Sequence, residues 1–226
     1  MKTLLLSLAY TIGIGELILA GYFWVTNSKN EIRRVMALIS LFTGAWVITS
    51  ALSAYVNPTP FVIFILSLVY VFGIFLIVAL LHLAIIFPYS LFRFDRVHKA
   101  LLYVPAVIFS SIALFTKTIV TGIDISPETP GLVISGPLHD MYNYYILLYL
   151  IFTFSLLLYK AKHSDGTNRK MAFTVFVSIF LGGMFPIWFD ILVPSFFPQF
   201  TRMNYLFGNI GTVLWLGVTT YVVRKK

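Results

Sequence analysis

The chain has 226 residues, 59% hydrophobic and 11% charged, with a net charge of +8 and no cysteine. A soluble domain is about half apolar and about a quarter charged, so an ordinary water-soluble fold is excluded, and the missing cysteines exclude disulfides, thiolate metal sites and thiol nucleophiles. The basic residues fall in short clusters between apolar blocks instead of forming one continuous face, which excludes a nucleic-acid partner and marks the charge as a topology signal.

Seven apolar blocks are predicted to span a bilayer, at about 3–26, 34–56, 61–87, 99–116, 141–160, 171–193 and 204–223. Each approaches or exceeds the roughly 20 residues that a helix needs to cross the hydrocarbon core. The fold class read from this is an all-α integral membrane bundle of seven helices, one domain over 1–226. A barrel would show short alternating segments instead.

The first span begins like a signal peptide, with Lys2 before Leu4-Leu5-Leu6. Its apolar run continues to Val25 without a cleavage site and basic residues follow, so it is expected to be retained. Glu16 lies near its middle, after Gly13 and Gly15, which let a neighbouring helix approach closely. Ionisable groups at such depth are costly and mark function by default. Glu16 is a candidate ligand contact or proton site; the alternative is a carboxyl group hydrogen-bonded to another helix.

The third span carries His82 near its end, either a packed, hydrogen-bonded residue or a pH-responsive contact. Phe87-Pro88 closes that span. The gap from Lys117 to Asp140 is the longest, and its Gly131–Gly136 segment is predicted either as a small strand or hairpin over the outer mouth or as a solvated connector. The fifth span places Tyr142, Tyr145, Tyr149 and Phe152 on one face, for core packing, an aromatic belt or a ligand wall. In the sixth, Pro186 is a candidate hinge. It is followed by Trp188 and by Asp190, which either pairs with Arg202 or contacts a ligand. In the seventh, Asn204, Gly208, Gly211 and Trp215 share one face beside Asn209, suiting close helix contact. The candidate ligand-binding residues are therefore Glu16, Tyr145, Tyr149, Trp188, Asp190 and Asn209.

Thirteen of the 16 Lys and Arg residues fall in the first, third and fifth gaps and the tail, and three (Lys2, Lys117 and Arg202) on the other side. The positive-inside rule then sets the N-terminus outside and the C-terminus in the cytoplasm. The seventh span has no lysine for a retinal Schiff base. No zinc-type histidine pairing, phosphate loop or nucleophile elbow is present, so neither metal nor cofactor is expected. His82 and Asp190 fall near opposite faces of a core about 30 Å thick, which argues against a shared catalytic centre with Glu16.

The chain resembles the seven-transmembrane N-terminal sensor region of bacterial histidine kinases over nearly its whole length. The resemblance rests on the seven spans and their direction. It also rests on Phe87-Pro88 before an Arg-containing loop, on Gly136-Pro137-Leu138 before an aromatic helix, and on the Tyr221-Val-Val-Arg224 ending. It implies ligand sensing in the inner membrane and output, as a homodimer, through the last helix to a cytoplasmic signalling module. The chain stops at Lys226 with no phosphoacceptor or ATP-binding region, so it is expected to be either a cut-down sensor portion or a stand-alone protein acting on a partner chain. The expected function is a receptor domain for a small, apolar ligand, in contact with membrane lipid and not an enzyme. The alternative is a small transporter or channel using Glu16 as an ion- or proton-coupling carboxylate.

Overall fold

A computed structural model describes residues 2–26, 29–53, 60–123, 133–186, 211–212 and 217–222. The elements are α1 (Lys2–Thr26), α2 (Glu31–Ser53), α3 (Pro60–Ile86), α4 (Arg96–Phe115), β1 (Val120–Ile123), β2 (Val133–Ser135), α5 (His139–Lys162) and α6 (Gly166–Pro186). Residues 211–212 and 217–222, in the seventh expected span, are helical. Five helices, α1 to α5, contain stretches long and apolar enough to cross a membrane. The sixth and seventh expected spans lie partly outside the described residues.

The helices overrun the expected spans where polar residues cap them. α2 starts at Glu31 because the Asn30 side-chain oxygen accepts the Ile32 amide at 2.9 Å. α4 starts at Arg96 because Asp95 Oδ1 accepts the amides of Val97 and His98. Those amides, His98 first, and the His98 ring hold the Asp95 carboxyl below its ordinary value. Its cap is therefore complete above the unfolded value of 3.8 and is lost only as pH falls below it.

α1 packs along α2 through glycines. A Cβ on Gly44 would stand 2.7 Å from the Gly13 carbonyl oxygen, and one on Gly13 would stand 2.5 Å from Ile48 Cγ1. Of the two glycines expected to allow close approach, Gly13 does so. Among the described residues, Gly15 has nothing within 4 Å of its Cβ position. Gly44→Ala should therefore lose about 1–3 kcal/mol by forcing two backbones apart, and Gly15→Ala should not. Thermal unfolding in detergent checks this, and equal stability of the two variants would count against it.

α3 is the central helix and packs against α2, α4, α5 and β1. On one side it builds a core with Phe23, Met36, Ile39, Leu157, Val175 and Val222, which ties the last helix to α1, α2, α5 and α6. On the other side it builds a second core with α4 and the start of α5, including Leu102, Ala106 and Tyr142.

The C-terminus of α3 is closed by a side chain from α5. Pro88 has no amide to bond Ala84, and the last carbonyls of any helix lack intrahelical donors. Lys160, fully buried, aims its Nζ at the carbonyl oxygens of Ala84 (2.6 Å), Ile85 (2.8 Å), Phe87 (2.9 Å) and Tyr89 (2.6 Å). An ammonium has three protons, so these four acceptors share them. The Phe87–Pro88 peptide is cis.

The Gly131–Gly136 segment supplies a strand. β2 pairs antiparallel with β1, with Val120 opposite Ser135 and Ile123 opposite Val133. Ile119 and Val120 are buried in the second core, so the hairpin rests on the bundle. Gly136 is required there: a Cβ would collide with the Thr118 backbone, against which its own amide bonds Ile119 O at 2.9 Å. The intervening residues 124–132 lie outside the described residues.

Candidate functional site

A cavity of about 240 Å3 lies inside the bundle. α2 contributes Trp46, and α3 contributes Gly73, Leu76, Ile77 and Leu80. α5 contributes Tyr142, Asn143, Ile146 and Leu150, α6 contributes Ile179, Gly182 and Gly183, and the last helix contributes Thr212. The walls are mainly apolar, with polar groups from Trp46, Tyr142, Asn143 and Thr212. Glycines create the space. A Cβ on Gly73 would stand 3.2 Å from the Tyr142 hydroxyl, whereas one on Gly183 would meet nothing within 4 Å among the described residues.

The polar groups on the α5 side are held in place. The Tyr142 hydroxyl donates to Tyr70 O at 2.9 Å. The Tyr70 hydroxyl bonds His139 Nε2 at 3.1 Å, and His139 Nδ1 meets Asn143 Nδ2 at 3.2 Å. With Asn143 donating to Nδ1, the neutral ring carries its proton on Nε2 and donates to Tyr70. This chain fixes the first turns of α5 against α3 beside the cavity.

The sequence-predicted residues are placed as follows. Tyr145 and Tyr149 lie ring against ring, tilted by 31° with centroids 4.2 Å apart, and turn towards α4: the Tyr145 ring meets Phe109 at 5.1 Å, and the Tyr149 hydroxyl donates to Leu102 O at 3.3 Å. Neither lines the cavity; of the tyrosine face, Tyr142 does. Glu16 is buried between α1 and α2, against Gly44 and beside Ser40. Among the described residues, Glu16 Oε2 and Ser40 Oγ are buried and meet no partner within hydrogen-bond geometry. Glu16 does not line the cavity either. Trp188, Asp190, Arg202 and Asn209 lie outside the described residues, and so does the Asp190–Arg202 pair. Pro186 ends α6 as described.

His82 has specific partners that the sequence did not show. Its Nε2 lies 3.3 Å from Glu31 Oε1 and its Nδ1 lies 3.0 Å from the Tyr103 hydroxyl. A carboxylate only accepts, so Nε2 carries the proton, and in the neutral ring Nδ1 accepts from Tyr103. Lys99 pairs with the same Glu31 carboxylate and sits over the Phe94 ring. The cluster joins α2, α3 and α4 at the end of the bundle that holds the basic connections. The sequence signal available was weak: Glu31 opens one helix and Lys99 opens another, on gaps of the same side.

The family model for the N-terminal 7TM region of histidine kinase matches residues 8–223. The chain belongs to this family. The structure described here is thus that of a histidine-kinase sensor region, the sensory and not the catalytic part of such kinases, and a multi-pass membrane protein. Searches of curated proteins and of solved structures each return no match. Among the described residues, the sensor region holds no group of three or more His, Asp or Glu side chains able to bind a metal.

Proposed function

We propose that residues 1–226 of the sensor region form one seven-span domain, N-terminus outside and C-terminus cytoplasmic, in the inner membrane. It binds a small, mainly apolar molecule in the cavity and passes the response to a cytoplasmic kinase-type module, on the same chain or a partner chain, as a homodimer. One observation carries this reading: a single cavity touches α2, α3, α5, α6 and Thr212 of the last helix. The last helix also reaches the core through Val222. A ligand that favours one packing of these helices shifts the position of the last helix, provided that it binds the two packings with different affinity.

The cavity size limits the ligand. About 240 Å3 is below the roughly 300–1,000 Å3 of sites for drug-sized molecules, so the ligand is smaller, with few polar atoms. Asn143, Tyr142 and Thr212 are the groups able to orient it. Trp188 and Asp190 follow Gly183 on the sixth expected span, and Asn209 precedes Thr212 on the seventh; we propose all three as further ligand contacts. Tyr145 and Tyr149 act indirectly, by setting α5 against α4.

Native mass spectrometry of the full chain released from mild detergent tests the proposal. The expected result is one small organic molecule per chain, lost when the cavity is filled. A chain that carries no such molecule and binds none from a membrane extract would overturn it.

The buried, unpartnered Glu16 oxygen favours a second reading, transport coupled to Glu16. Glu16→Gln separates the two. Ion or proton flux through reconstituted vesicles disappears under the second reading, whereas ligand retention is unchanged under the first.

A further inference from the structure

We infer that the cleft between the basic ends of α5 and α6 is a binding site for an anionic phospholipid, with its phosphate on Lys162, Arg169 and Lys170 and its acyl chains along Leu158 and Phe173. The cleft has a volume of about 590 Å3 and lies apart from the ligand cavity. α5 lines it with Leu158, Ala161 and Lys162, and α6 with Gly166, Arg169, Lys170 and Phe173. Residues three and four apart share a helix face, so each helix presents a coherent surface to the cleft.

Charge points to the class of ligand. Among the described residues, Lys162, Arg169 and Lys170 have no carboxylate partner within ion-pair distance, and the nearby Asp165 is exposed and forms no pair. Three unneutralised cations thus converge on one hollow, where the first amides of α6 add a further attraction for an anion. The loop between the helices is held in shape, with the His163 amide on Tyr159 O at 3.0 Å and Ser164 Oγ donating to the Tyr89 hydroxyl at 2.8 Å. The neighbouring Lys160 is already committed to the α3 carbonyls.

The apolar floor selects a lipid over a free anion. Leu158 is 43% exposed and Phe173 53% exposed. Each sits one helical turn, about 6 Å, further into the membrane than the cation on its own helix. That separation matches a phosphate at the membrane surface with acyl chains below it. Basic pockets between helices on the cytoplasmic side recognise anionic headgroups in this way. The leaflet assignment rests on the orientation proposed above; the binding itself does not.

The test uses the full chain, delipidated in a neutral detergent and titrated with phosphatidylglycerol or with phosphatidylcholine of the same chain length. Native mass spectrometry reads the bound lipid. The expected result is one tightly bound phosphatidylglycerol at a concentration at least tenfold below that needed for phosphatidylcholine. The double variant Arg169→Gln/Lys170→Gln should lose that preference. Lys29→Gln/Arg93→Gln, with the same change in net charge on the same side, should keep it. Glycerol phosphate, which lacks the acyl chains, should not displace the lipid at concentrations a hundredfold higher. Equal affinity for the two lipids, equal losses in the two double variants, or ready displacement by glycerol phosphate would each overturn the site. None of these readouts depends on the sensed ligand, so failure here and failure of the sensing proposal are distinguishable.

Discussion

Lys160→Met should cost the sensor region at least about 3 kcal/mol and sharply reduce the folded protein recovered from membranes. The reason lies in the end of α3. Methionine keeps most of the aliphatic volume but supplies no donor, so the carbonyls of Ala84, Ile85, Phe87 and Tyr89 lose their shared ammonium. A buried acceptor without a donor costs about 1–3 kcal/mol, and Pro88 cannot supply an amide to Ala84. Against this stands the recovered desolvation of the ammonium, which keeps the net loss well below the sum of four bonds. Lys160→Arg should fail as well. A planar guanidinium directs its protons in a fixed fork, whereas these four acceptors surround a single point. Thermal unfolding in detergent measures both variants, and a Lys160→Met chain within about 0.5 kcal/mol of the parent would contradict this account of how α3 is terminated.

Lys160 also shows where sequence reading stops in a membrane protein. By composition it is one more basic residue in the fifth gap, counted towards topology. Its phase says otherwise: Thr153, Leu157 and Lys160 follow i, i+4, i+7 spacing, and all three are buried. That signal is present in the sequence, but the carbonyls it serves are more than 70 residues away. The helices α1 to α5 were legible, because an apolar block of membrane length has few other fates. The strand at Val133–Ser135 was legible only as one of two readings, because a β-branched segment between glycines suits a solvated connector as well. The direction each helix faces was not. In lipid, both the inward and the outward face are apolar, and α5 has no contrast to reveal that its cavity wall is Tyr142, Asn143, Ile146 and Leu150 while Tyr145 and Tyr149 face α4. The same holds for α1. Gly13 and Gly15 are equivalent in the sequence, and only the crossing with Gly44 separates them.

Filling the cavity gives the second large effect. Gly183→Leu should leave the sensor region folded, with unchanged or slightly raised thermal stability, and weaken ligand retention by more than about tenfold, or 1.4 kcal/mol. Gly183 lines the cavity, yet among the described residues a Cβ there meets nothing within 4 Å. A leucine can therefore occupy the ligand volume without moving a helix, and it adds apolar contacts where space stood before. Gly73 is the instructive contrast. It lines the same cavity, but its Cβ would press on the Tyr142 hydroxyl, whose bond to Tyr70 O joins α5 to α3. Gly73→Leu should thus lower both ligand retention and stability. Under the proposed sensing function, signalling follows from the same geometry. When the isobutyl group of the Gly183→Leu variant stands in the ligand's place, the wall that includes Thr212 no longer responds to ligand concentration. The output of a kinase module joined to the last helix should then become constant. Native mass spectrometry, thermal unfolding and a phosphorylation assay on the fused kinase read the three consequences separately. Normal ligand retention by folded Gly183→Leu would place the sensing site elsewhere in the bundle.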